Sequence, residues 1–76
     1  RTLDLDGFAS LHGLTAAERR AVAGIVDGKS LGQIAEEAAL SRETIRSQLK
    51  SIYAKTGVNR QVDLMRLACG LGPAED

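Results

Sequence analysis

The sequence predicts an all-α domain, and three observations carry that reading. Phe8 and Tyr53 are the two aromatic residues, while Ala, Leu, Glu, Arg and Lys abound, a composition that suits helices and starves strands. Thr15 with Glu18, and Ser30 with Gln33, each precede an apolar stretch with the spacing of a capping box. Glycines then fall where the apolar stretches end. With 76 residues the chain holds one domain, better sized for a binding module than for a catalytic cleft.

Four helices are expected, at about 16–27, 31–38, 42–56 and 60–70. Residues 1–13 lack helical periodicity and hold Gly7 and Gly13, so they read as a linker or lead-in segment. Phe8 and Leu11 could tuck onto the core from there, and His12 reads as an incidental surface side chain. Leu14 precedes the Thr15 cap and can staple the first helix; Val22, Ile25 and Val26 form its apolar stripe, and Gly28 stops it. The second helix is short, carries Ile34, Ala35 and Ala38 on one side, and is weakened by Gly32, so it depends on packing. Ala39-Leu40-Ser41 is a break, with Ser41 as the next N-cap and Glu43 complementing the helix dipole. Gly57 ends the third helix, Asn59 is the expected cap of the fourth, and Gly70 ends it. The folded part therefore spans about 14–72, and residues 73–76 form a tail that Pro73 keeps from continuing the helix.

Charge narrows the function. The formal net charge is zero, but residues 41–60 carry Arg42, Arg46, Lys50, Lys55 and Arg60 against Glu43 alone. A local basic face is what phosphate binding needs, and overall neutrality does not forbid it. No apolar run is long enough to span a membrane, and no signal-peptide pattern opens the chain. The single cysteine, Cys69, cannot form an internal disulfide and fits a reducing compartment, so a cytoplasmic setting is expected. No His/Cys cluster suggests a metal, and no nucleophile–base set suggests an enzyme. Gly28-Lys29-Ser30 resembles the end of a phosphate loop but lacks the earlier glycine; it reads as a helix stop followed by a cap. No cofactor is called for.

The stretch 42–56 carries the functional argument. At about 100° per residue, Ile45, Leu49, Ile52 and Thr56 share one face, with Tyr53 at its edge. Glu43, Arg46, Ser47, Lys50 and Ala54 fall on the opposite face. Two cations and small side chains starting in the first turns suit a helix that enters a major groove. A short helix, a three-residue break and a longer helix with a basic outer face form a helix-turn-helix arrangement. Ala39 stands at the turn position where glycine is common, and keeping a left-handed conformation there costs an alanine roughly 1 kcal/mol.

These residues resemble the LuxR/GerE-type helix-turn-helix family over about Leu14 to Leu71. The resemblance rests on Leu14-Thr15 with Glu18, Gly28-Lys29-Ser30 before Ile34-Ala35, and Ser41-Arg42-Glu43-Thr44-Ile45-Arg46. It continues through Leu49, Ile52, Lys55, Gly57-Val58, Arg60 and Gly70-Leu71. It implies a four-helix domain with the helix at 42–56 in the major groove of double-stranded DNA, and dimers on two half-sites. By matched position, Arg46, Ser47 and Lys50 would face base edges. Ser41, Thr44, Arg60 and Lys55 would contact the DNA backbone, and Arg42 flanks the helix as a further phosphate candidate. Ser41 and Thr44 equally suit a cap and a packed hydroxyl. Such domains usually lie C-terminal to a receiver or sensing domain in a bacterial transcription regulator, and a start at Arg1 fits that truncation. Nucleoid association, and RNA polymerase as a further partner, follow from the same implication. The chain departs from the pattern at Leu31-Gly32-Gln33, where a polar stretch is usual; by the resemblance, a phosphate contact would be lost at position 32 and Gln33 would keep one. Gln48 replaces a frequent His and falls on the flank of the helix.

The helix at 60–70 is apolar on two sides, Val62, Met65 and Cys69 on one and Leu64, Leu67, Ala68 and Leu71 on the other. One stripe would pack on the domain, and the other would meet an identical subunit unless Phe8 and Leu11 cover it. Two other functions compete with a regulator domain. A promoter-reading sigma-factor domain shares the motif, but the doubly apolar helix after Gly57 favours the regulator. A helical protein–protein adaptor predicts no duplex binding at all.

Overall fold

A computed structural model describes residues 4–70, and these form five helices with no strand among them. In chain order they are α1 (Leu5–His12), α2 (Ala16–Val26), α3 (Leu31–Ala38), α4 (Arg42–Thr56) and α5 (Gln61–Ala68). Leu71 and the expected tail at 73–76 lie outside the described residues.

Within the segment read as a linker or lead-in, Leu5–His12 forms a helix that the count of four did not include. The Asp4 carboxylate accepts from the Gly7 amide at 2.9 Å, and left-handed Gly13 closes the helix. Periodicity is hard to see in eight residues containing a glycine, and so short a helix is unstable alone. Packing supplies what propensity does not: Ala9 is buried, and Leu5 and Phe8 lie against the core. Leu11 points the other way and is 79% exposed, so it covers nothing. The His12 ring stands 4.6 Å from Phe8, one helical turn away.

Helices α2 to α5 enclose one core built from Val22, Ile25, Ile34, Ile45, Leu49, Ile52 and Leu64 with interspersed alanines. Both capping boxes form as the sequence spacing predicts, Thr15 with Glu18 and Ser30 with Gln33. Gly28 closes α2 with positive φ, and the Lys29 amide reaches back to the Gly24 carbonyl at 3.0 Å. Gly24 also lets α3 come close: a Cβ there would stand 2.6 Å from the Ile34 side chain.

Between α3 and α4, Ala39 does take the left-handed conformation, with φ 58° and ψ 40°. It is the one non-glycine residue with positive φ among those described. Its amide bonds the Glu36 carbonyl, and the Leu40 amide bonds Ala35 at 2.9 Å, which fixes the turn.

The last helix begins one residue later than expected. Arg60, not Asn59, is its N-cap, in extended conformation and without a side-chain cap bond. The first helical bond runs from the Leu64 amide to the Arg60 carbonyl, which leaves Asn59 too far back to cap. Regular helix ends at Ala68, and Gly70 with φ 74° turns the chain after it.

Candidate nucleic-acid interface

Helix α4 divides cleanly. Ile45, Leu49 and Ile52 are buried, and Thr56 is half-buried with its hydroxyl donating to the Ile52 carbonyl at 2.9 Å. Tyr53 is also half-buried, and that burial raises its phenol above the ordinary value. Glu43, Arg46, Ser47, Lys50 and Ala54 are all exposed. The α3·α4 and α2·α4 packing holds the buried face, so the exposed face projects from a rigid support.

The cations of this face differ in their surroundings. Arg46 is ion-paired with Glu43, one turn earlier on the same outward face. Sequence reading gave Glu43 only a role towards the helix dipole, although the i, i+3 spacing to Arg46 was there to be used. Lys50 and Arg42 form no ion pair within the described residues.

Lys55 is engaged elsewhere. Its ammonium donates to Glu18 Oε1 at 2.7 Å, tying the end of α4 to the start of α2. Glu18 is 6% exposed and, among the described residues, the sole buried charged or polar side chain. Burial pushes its carboxyl up, but hydrogen bonds from Lys55, Ser51 and the Thr15 amide outweigh this and hold it at about 2. No sequence signal links residues so far apart; the chain reversal between α2 and α4 brings them together.

The other backbone candidates have local partners too. The Ser41 hydroxyl accepts from the Thr44 amide at 3.1 Å and lies 3.0 Å from the Thr44 hydroxyl, so the capping role is filled. Gln33 Oε1 accepts from the Ser30 amide at 2.8 Å. Arg60 donates to Asp63 at 2.8 Å, a hydrogen bond that raises the guanidinium above its ordinary value. Arg60 stands at the α4–α5 junction, and Arg42 is exposed in the first turn of α4.

On α5, the structure corrects part of the expected subunit contact. Leu64 is fully buried and Ala68 nearly so, both inside this chain's own core. They face α2, because α5 packs there. Val62 is 48% exposed, while Met65 and Leu67 are half-buried. No helix among the described residues is long and apolar enough to cross a membrane.

Residues 12–68 match the family described as "Bacterial regulatory proteins, luxR family" (GerE), three-quarters of the chain. This chain belongs to the luxR family. Over 59 residues it is 37% identical to a protein described as "Probable transcriptional regulatory protein SgaR", from Hyphomicrobium methylovorum. That alignment takes in 78% of this chain and 28% of SgaR, so the chain spans less than a third of that relative's length. No solved structure matches significantly. Within the luxR-family fold, α3, the Ala39 turn and α4 form the helix-turn-helix, α2 supports it, and α1 adds a fifth helix to the four expected.

Proposed function

We propose that this domain binds double-stranded DNA sequence-specifically as the output module of a bacterial transcription regulator, with α4 in the major groove. The observation that carries this reading is the outward face of α4: Arg46, Ser47 and Lys50 exposed beside Ala54, on a helix whose opposite face is locked in the core. Docking is electrostatic, and phosphate contacts supply most of the affinity and its salt dependence. Arg42, Gln33 and Arg60 are the backbone-contacting side chains with donor groups at the surface, and Ser41 and Thr44 contribute hydroxyls next to the first turn of α4. Lys55 is the weakest backbone candidate because leaving Glu18 would strand a buried carboxylate.

Arg46 and Lys50 then select bases, guanine O6 and N7 being the natural acceptors. Arg46 swings from Glu43 to the base at small cost, since an exposed pair contributes little. The domain works as a homodimer through α5, with Val62, Met65 and Leu67 the surviving contact residues of that helix. Residues 14–72 are the working unit, acting in the bacterial cytoplasm at the nucleoid, with RNA polymerase as a second partner.

Fluorescence anisotropy of a random duplex pool across a salt series tests the reading. Binding that falls steeply with salt and weakens in Arg46→Ala is expected. A folded chain that binds no duplex at low salt overturns it in favour of the adaptor, and preference for promoter elements in the selected pool would favour the sigma-factor domain.

A further inference from the structure

Helix α3 carries a glycine in its first turn, as its second residue, where alanine would favour the helix more. The space left by the missing side chain is used by α4. A Cβ added to Gly32 would stand 2.7 Å from Arg42 Nη2, 3.0 Å from Nε and 3.1 Å from Cζ. The guanidinium, the far end of a long and exposed side chain, therefore occupies the volume of a Cβ at position 32 and has to shift to admit one.

Arg42 belongs to the cations of α4 that no carboxylate of the described residues neutralises. It lines an open groove between the starts of α3 and α4, shared with Ser30, Gln33 and Glu36. The Ser30 amide already donates to the Gln33 side-chain carbonyl, which leaves the Gln33 side-chain amide NH2 as a donor beside Arg42. Glu36 is the one acid on the groove, and it forms no ion pair with Arg42.

We propose that Gly32 is a seat that holds the Arg42 guanidinium against α3, presenting it as a fork for one backbone phosphate of duplex DNA. An arginine fork matches two phosphate oxygens at once, and a fork held in place loses less rotamer freedom on binding. This role of Gly32 rests on the duplex-binding reading above.

The test is a double-mutant cycle on the whole chain: the parent, Arg42→Gln, Gly32→Ala and the double variant, titrated with one bound duplex and one scrambled duplex over a salt series. Arg42→Gln is expected to weaken both duplexes alike, about tenfold, and to lower the log–log salt slope by about 1. Gly32→Ala is expected to reproduce most of that loss while melting no lower than the parent, because alanine favours the helix. The double variant is expected to bind no more weakly than Arg42→Gln alone. A parent that binds no duplex overturns the functional reading and the seat with it. A parent that binds while Arg42→Gln is neutral overturns the phosphate fork alone. Losses that add in the double variant, or a neutral Gly32→Ala, overturn the role of Gly32.

Discussion

The two ends of α4 carry similar charge and are put to opposite uses. Arg42, Arg46 and Lys50 occupy its N-terminal two-thirds, exposed, with Glu43 as their sole acid on the helix. Lys55, in its last turn, is bound to a carboxylate that burial would otherwise make costly. Charge counting treats all four alike. What separates them is the depth of the partner: an exposed pair such as Glu43–Arg46 is cheap to break, whereas breaking Glu18–Lys55 exposes or strands a buried charge. One end of the helix is therefore available to a ligand, and the other anchors the helix to α2.

The sharpest break removes the support both ends share. Leu49→Ala should cost about 2–5 kcal/mol, because the side chain is 4% exposed in the centre of the core. Thermal melting checks it, and an unchanged midpoint would refute the burial.

Glu18→Gln should cost about 2–3 kcal/mol, below the usual range for a severed buried pair because Lys55 can still reach water. Acid sharpens this. The folded carboxyl sits at about 2, below its ordinary value of 4.5. Its contribution is thus complete above about pH 4.5 and is lost as pH falls through about 2. Acid titration of stability should fall less steeply over that window in Glu18→Gln than in the parent.

At the other end, Arg46→Ala should leave stability nearly unchanged and weaken binding of a selected duplex by about 1–3 kcal/mol, relaxing one base position. Equal losses on every sequence would make Arg46 a phosphate contact instead. The smallest effect is expected at the turn that sets α3 against α4. Ala39→Gly removes the strain of a left-handed alanine and should stabilise by up to about 1 kcal/mol, a shift of several degrees in melting temperature.

Much of this was legible beforehand. The limits of α3 and α4 follow from Ser30, Ser41 and Gly57, because caps and left-handed stops are local chemistry. The two faces of α4 follow from helical periodicity. Helix α1 did not show, since its stability comes from Ala9, Leu5 and Phe8 meeting a core assembled from distant residues. Nor did α5, apolar on two sides, reveal which stripe faced inward; docking on α2 takes Leu64 and Ala68 and leaves Val62 outside.

By itself the sequence determined that the chain is helical, where its helix-turn-helix lies, and which side chains of α4 point away from the core. These depend on interactions within a few residues of one another. Tertiary structure alone decided that Lys55 serves Glu18, that Arg42 lies over Gly32, and that Leu64 is core. Each joins residues on different helices, and side chains far apart in the chain meet only when the burial of apolar surface folds one helix onto the next.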